Sequence, residues 1–329
     1  MEQEKHILIT GGLGQVGSYI CEALAGTRSR VTILDNFSSS LSHRCPGAEV
    51  VRGDIRDRET ARKLVQDADV VIHCAAQIYV TRSMEEPAFD ADNNVMGTLN
   101  LLDAARDSDV RRFIYFSSAA VYGDPVHLPV DEGHPQNPMS PYGVSKLSGE
   151  KYALMFHRAY GLPVMAIRPF NIYSPRQDPS NPYSGVISKF IDRIAGGQSP
   201  IIFGDGSATR DFVSVHDVVD MVLLMIKSSS GVGKVFNCGT GEPTRIDTLA
   251  RMIARLHGRE DLVPELQPAR PGDIRDSYAD IWLARGILGY RPKVSLEDGL
   301  KEIIHGHRGE SGGIRSPGSC GTAEKCQNE

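Results

Sequence analysis

Long apolar runs are missing from this 329-residue chain: no stretch of eighteen apolar residues is long enough to span a bilayer. The six cysteines, Cys21, Cys45, Cys74, Cys238, Cys320 and Cys326, form no C-x-x-C pair and have no histidine-rich partner spacing. This spacing argues against a zinc site, no metal is expected, and most of the thiols read as reduced. Positive charge is not in excess either. Thirty-six Lys and Arg against forty-one Asp and Glu give a net charge of −5, which argues against nucleic acid or an anionic membrane as partner. The N-terminus has no charged start followed by a long apolar run and a cleavage site, so a cytoplasmic protein is expected.

What is present begins with a β-α-β pattern. His6-Ile7-Leu8-Ile9-Thr10 suits a buried parallel strand, Gln15 to Leu24 is apolar at helical spacing, and Val31-Thr32-Ile33-Leu34-Asp35 is a second strand. Between them, Gly11, Gly14 and Gly17 are spaced G-x-x-G-x-x-G. Such a loop turns tightly, brings backbone N–H groups against a pyrophosphate and lets the helix pack closely on the strand. A glycine triplet alone is equally a tight turn. A strand before it, a helix after it and an acid ending the next strand make it a dinucleotide fingerprint. Asp35 stands where a carboxylate takes adenosine ribose hydroxyls and repels a 2′-phosphate. No Arg or Lys occurs from Asn36 to His43, so NAD is expected over NADP.

Further strands are predicted at Glu49–Arg52, Asp69–His73, Phe113–Phe116 and Val164–Arg168, with one helix from about Pro87 to Asp107. Asp54, Ala75 and Ser118 each lie just past a strand end, on the rim where open parallel sheets bind ligands. The chain is thus an α/β protein: a Rossmann-type doubly wound parallel sheet over residues 1–170, then a smaller substrate-binding lobe over 171–305. The Pro-, Ser- and Asn-rich stretch from Pro169 to Tyr183 cannot be one regular element and marks the boundary. Strand-helix character from Phe212 to Ile226, and a short strand at Val235-Phe236-Asn237, suggest that about 211–240 crosses back to the first domain. Residues 306–329 have no apolar period and read as a disordered tail.

The chemistry is concentrated between Ser117 and Lys146. Tyr142 and Lys146 are four apart, so on a helix they share a face, and the ammonium can draw the phenol toward a phenolate. A lone Y-x-x-x-K is common by chance, and its meaning depends on what surrounds it.

Taken together, Thr10-Gly11-x-x-Gly14-x-x-Gly17, Asp54-Ile55, His73-x-Ala75-Ala76, Ser117-Ser118-x-x-Val121-Tyr122-Gly123, Tyr142-x-x-x-Lys146 and Arg168-Pro169-Phe170-Asn171 resemble the extended short-chain dehydrogenase/reductases. Within that family the chain, over about residues 6–304, looks like the UDP-hexose 4-epimerases. The resemblance implies NAD as cofactor. It implies a pyrophosphate cradle at Gly11, Gly14, Gln15, Val16 and Gly17, a ribose partner in Asp35 with Asn36, and Asp54 and Ile55 beside adenine. The rest of the groove would be lined by Ala75, Ala76, Gln77, Asn93 and Ser117, with Phe170 at the nicotinamide end beside Tyr142 and Lys146. It implies substrate contacts at Ser118, Tyr142, Asn171, Arg210, Arg270 and Asp273, with guanidinium forks suited to a diphosphate. Tyr142 would be the base at the sugar 4-hydroxyl, Lys146 would lower its pKa, and Ser118 would hold the 4-oxygen. The reaction is 4-epimerisation through a transient 4-keto sugar.

Other readings are weighed against this one. The related dehydratases carry Asp-Glu after the catalytic hydroxyl residue, where this chain has Ala119 and Ala120, and the decarboxylases usually have a Glu there. A silent NAD-binding protein would have lost Tyr142 or Lys146. Ser277 falls at a wall position that is a bulky Tyr in forms limited to UDP-glucose and UDP-galactose, so it leaves room for an N-acetyl group. Arg176 leaves three roles open: pairing with a hexuronate carboxylate, capping a turn, or binding diphosphate. A homodimer is expected through the helices of Asn93–Asp107 and Tyr142–Tyr160, which carry more apolar surface than one sheet-facing stripe needs.

Overall fold

The structure, a computed structural model, describes residues 5–38, 43–177, 185–270 and 272–310. The first half alternates strands and helices: β1 (His6–Thr10), α1 (Gln15–Ala25), β2 (Arg30–Asp35), β3 (Glu49–Arg52), α2 (Arg58–Gln66), β4 (Val70–His73), α3 (Val80–Glu85), α4 (Pro87–Ala91), α5 (Gly97–Arg106), β5 (Arg112–Phe116), α6 (Pro141–Tyr160) and β6 (Val164–Pro169). Short elements follow: β7 (Asn171–Tyr173), α7 (Val186–Ala195), β8 (Ile201–Phe203), β9 (Thr209–Arg210), β10 (Phe212–Ser214), α8 (Val215–Lys227), β11 (Val235–Cys238), β12 (Thr244–Arg245), α9 (Ile246–Leu256), β13 (Glu265–Gln267), β14 (Asp276–Ser277), α10 (Trp282–Leu288) and α11 (Leu296–Glu310).

The central sheet has seven parallel strands in the order β11-β6-β5-β4-β1-β2-β3. Strand order reverses between β1 and β4, and both strands end beside the glycine loop. That reversal opens the crevice in which doubly wound sheets bind their ligands. β11 pairs with β6 in parallel, so the chain returns to the first sheet after its excursion. Each face has its own core. Ile20, Leu24, Val218 and Met221 pack under α1 and α8 on one side, and Val65, Leu101, Phe113 and Phe156 pack under α2, α5 and α6 on the other. A third cluster, built from Ile187, Phe190, Leu249, Ile253 and Leu300, belongs to α7, α9 and α11.

Local sequence explains how α6 is framed. Ser140 caps α6 by accepting the Gly143 N–H at 3.1 Å, Pro141 occupies the first turn where its missing N–H costs nothing, and Gly161 ends the helix at φ 75°. Two expectations need correction. The helix expected from Pro87 to Asp107 is continuous only in path: α4 and α5 are joined by a π turn at Asp92–Met96, which re-aims Asn93 and Asn94 inward. The tail does not begin at Gly306, because α11 runs on to Glu310; its remainder, 311–329, lies outside the described residues. Within the Pro169–Tyr183 stretch, Asn171–Tyr173 forms β7 on β10, while 178–184 also lie outside the described residues.

Two buried polar networks anchor α6, one to the sheet and one to α4 and the π turn. Arg168 of β6 is 1 % exposed; its Nε and Nη2 donate to the two Glu150 oxygens at 2.8 and 2.5 Å, and its Nη1 donates to Tyr122 Oη at 2.8 Å. On the other side Asp90 Oδ1 accepts from Gln77 Nε2 and Asn94 Nδ2, and Asn94 Nδ2 also reaches Ser145 Oγ at 3.0 Å. Glu150 lies one turn beyond Lys146, which lies one turn beyond Tyr142. The anchor and the reactive pair therefore share one helix face.

Candidate active site

A cavity of about 720 Å³ runs along the C-terminal ends of the strands. At one end it is lined by Asp35, Asn36, Gly53 and Ile55, in the middle by Gly11, Gly14, Gln15, Val16, Gly17, Ala75, Ala76 and Asn93, and at the other end by Ser117, Ser118, Tyr142, Lys146, Pro169 and Phe170. The backbone is shaped for an anion. Gly11 has φ 66°, and a Cβ there would sit 2.8 Å from the Ala75 backbone; one on Gly17 would strike Gly11 O. Gly14 caps α1 without any side-chain bond, and the first turn has no acid, so the positive end of the helix faces the cavity unneutralised. Asp35 accepts the Leu13 N–H at 3.0 Å and the Phe37 N–H at 2.9 Å, which holds its carboxylate at the end of β2. The site thus fits a dinucleotide: pyrophosphate on the glycines and ribose at Asp35.

Asp54 is placed differently from its neighbours. Arg56 takes its carboxylate through Nε and Nη2, and Asn36 Nδ2 adds a third bond at 3.0 Å. These bonds, Arg56 foremost, hold its pKa down to about 2. Gly53, Ile55 and Arg56 line the cavity while Asp54 stands behind them as their brace.

At the reactive end Ser118 caps a 3₁₀ turn over Ala119–Val121, its Oγ accepting from Ala120 N at 3.1 Å, and it lines the cavity with the Tyr142 phenol. The Lys146 ammonium lies 4.8 Å from the Tyr115 ring centroid. Burial raises the Tyr142 pKa above its ordinary value, and Ser118 offsets this in part. In the protein alone burial sets the direction of this shift. Oxidised NAD, when bound, would add a positive charge of its own.

Burial also pulls the Lys146 pKa from 10.5 down to about 8, against the opposing charges of Cys74, Asp90 and Glu150. A folded pKa below the unfolded one means that the unfolded chain binds the extra proton between pH 8 and 10.5, so stability rises with pH across that window. Below pH 8 the full cost is present. Lys146→Met is therefore expected to stabilise the fold at pH 7 by on the order of 2 kcal/mol, while turnover collapses. Thermal melts at pH 7 and pH 10 check this; a lower melting temperature at pH 7 would show that the contact with Tyr115 outweighs the burial.

Of the remaining predicted residues, Arg176 lines this cavity, whereas Asn171, Arg210, Arg270, Asp273 and Ser277 are not part of its lining. Ser277 of β14 pairs in register with Arg210 of β9. The Arg210 guanidinium donates to the carbonyls of Thr209, Ile274 and Arg275 at 2.7 to 3.1 Å, which aims it along the 270–277 segment. Arg270 stacks at 3.7 Å over Phe203, and Asp273 closes a turn onto Arg270 O. Asn171 opens β7, next to Phe170. Pro271 falls outside the described residues. Arg176 lines the cavity, but its guanidinium is engaged by Ser18, Tyr19 and Glu22 of α1.

Sequence reading missed several lining residues: Cys74, Ile78, Tyr79, Arg82, Phe89, Ile172 and Gln177. Arg82 and Phe89 stack at 4.1 Å, a contact between α3 and α4 that neither residue signals alone. Cys74 and Ile78 could have been read from position, since they flank Ala75 and Gln77 just past β4.

The model of the NAD dependent epimerase/dehydratase family matches residues 7–239. The chain belongs to that family. It is an enzyme of this NAD-dependent epimerase/dehydratase family, and NAD is its cofactor. Among curated relatives, a putative UDP-glucose 4-epimerase of Methanocaldococcus jannaschii is 42% identical over 91% of this chain and 97% of its own length. Among solved structures, the UDP-glucose 4-epimerase of Thermotoga maritima, determined with UDP-glucose, superposes with a TM-score of 0.88 at 38% identity, covering 93% of this chain and 99% of that one. The UDP-N-acetylglucosamine 4-epimerase of Methanobrevibacter ruminantium, in complex with UDP-N-acetylmuramic acid, gives 0.88 at 34% identity over 94% and 99%. In this epimerase/dehydratase the seven-stranded sheet and the reactive end of the cavity are the parts on which any activity must rest.

Proposed function

We propose that this enzyme interconverts a UDP-hexose and its C4 epimer, UDP-glucose and UDP-galactose first, with UDP-GlcNAc and UDP-GalNAc admitted by the small Ser277. One observation carries the reading. Ser118, Tyr142 and Lys146 converge at one end of the cavity, where the neighbouring positions are the methyl groups of Ala119 and Ala120. Asp35 is the one carboxylate among the described lining residues, and it stands at the opposite end. Elimination of water would need a further acid and base beside Tyr142, and the described residues supply none.

The chain's own groups account for the proton chemistry. Tyr142, as phenolate, takes the proton of the sugar 4-hydroxyl; Ser118 holds the 4-oxygen and keeps the phenol aimed. Lys146, protonated, favours the phenolate. NAD, when bound, supplies the acceptor and donor of hydride at C4. Tyr142 returns the proton once the 4-keto sugar has turned its other face. Arg210, Arg270 and Asp273 hold the nucleoside diphosphate, with Asn171 and Ser277 at the sugar end. UDP-glucuronate is disfavoured, because Arg176, the candidate partner for its carboxylate, is committed to Glu22.

Incubation with UDP-galactose, UDP-GlcNAc and UDP-glucuronate, followed by separation and mass measurement, tests the reading. An isobaric product from either of the first two is expected; loss of water, loss of carbon dioxide or no product at all would overturn it. The partner surface is proposed along α5 and α6. Met96, just before α5, and Val144 and Tyr152 on α6 are exposed there, and a two-fold pairing of these helices would cover them. No described helix is long and apolar enough to cross a membrane.

A further inference from the structure

The segment after β7 crosses the start of α1. Ile172, Arg176 and Gln177 line the same cavity as Gly14, Gln15 and Gly17, and Gln15 Nε2 donates to Ser174 Oγ at 3.0 Å. One turn further along α1, Arg176 takes three partners. Its Nη1 donates to Ser18 Oγ at 2.8 Å, its Nη2 pairs with Glu22, and its guanidinium lies 4.1 Å over the Tyr19 ring. The edge of Tyr19 meets His216 of α8 at 5.3 Å, and His216 Nε2 lies 3.1 Å from Glu302 of α11. The Ser18 amide donates to Gly14 O, so the guanidinium grips the first two turns of the helix whose N-terminus faces the pyrophosphate site.

The Arg176 and Glu22 side chains are 21% and 42% exposed, and an ion pair of that kind is weak by itself. Stacking on an aromatic face together with a planar fork is worth more, and a lysine cannot reproduce it. A guanidinium with three protein partners is also poorly placed to receive a substrate carboxylate.

We propose that Arg176 is a cofactor-retention residue: its clasp on Ser18, Tyr19 and Glu22 straps residues 174–177 over the glycine loop and slows the escape of NAD. The inference rests on the proposed epimerisation only in its purpose. An enzyme that returns the same hydride within each cycle gains from holding its dinucleotide between the two half-reactions.

The test follows release of NAD from the loaded, full-length protein into an excess of an NAD-consuming dehydrogenase, with a melting curve for every variant. Arg176→Ala is expected to release NAD about tenfold faster. Glu22→Gln, on the outer face of α1, is expected to release it about threefold faster with no change in KM for the UDP-sugar. Arg176→Lys should fall between wild type and Arg176→Ala. The double variant Arg176→Ala/Glu22→Gln should be no faster than Arg176→Ala, since both remove one contact. Unchanged release in Glu22→Gln and Arg176→Ala, with a raised KM for the UDP-sugar in Arg176→Ala, would overturn the proposal and return Arg176 to the substrate. If the wild-type protein gave no isobaric product while Arg176→Ala still lost NAD faster, the epimerase reading would fall and the clasp would stand.

Discussion

Tyr142→Phe is expected to cut turnover by about 10²–10⁴-fold, the range that a positioned general base contributes. The phenol lines the reactive end of the cavity with Ser118, and nothing else among the described residues at that end can take a proton from a sugar hydroxyl at neutral pH. Ser118 is an alcohol, Lys146 carries a proton below about pH 8, and Asp35 is at the far end. The ring itself remains, so packing and NAD binding should survive. Steady-state assays of the variant, beside its NAD content and melting curve, decide the matter. Turnover within tenfold of wild type would place the base elsewhere and undo the assignment of Tyr142.

The second large effect is on stability. Arg168→Met leaves Glu150, a fully buried carboxylate, without the fork that neutralises it, and takes a donor from Tyr122 and from the Glu132 carbonyl. Removal of one partner from a buried pair costs about 3–5 kcal/mol. For a chain of this size that lowers the melting temperature by roughly 4–7 °C. Pairing the change with Glu150→Met should recover much of the loss, because two apolar side chains no longer strand a charge. Glu150 shares its helix face with Lys146 and Tyr142, so the single variant should also lose activity at temperatures where it is still folded. A double variant no more stable than Arg168→Met would locate the cost in the Tyr122 and Glu132 bonds.

How much of this was legible in the sequence depended on distance along the chain. The glycine loop, Asp35 and the Tyr142–Lys146 pair are local patterns: a tight turn needs glycine, a helix puts residues four apart on one face, and a parallel strand needs a continuous apolar run. Those constraints act within a few residues, and the structure keeps each of them at the expected position. Ala119 and Ala120 were equally plain, because side chains without a titratable group can be read off at once.

Other features were set by packing. Asp54 is expected beside the adenine, and what sequence did not show is that Arg56 and Asn36 hold its carboxylate in place. For Tyr142, burial raises the pKa in the protein alone, and the lowering expected from Lys146 with the nicotinamide ring belongs to the loaded site. Arg176 had three open roles, and 154 residues separate it from its partner Glu22. Sequence by itself determined the sheet, the dinucleotide cradle and the reactive pair, since each follows from local backbone geometry and side-chain chemistry. Tertiary structure alone decided which charges meet, because burial and ion pairing depend on distances in space that the order of residues does not record.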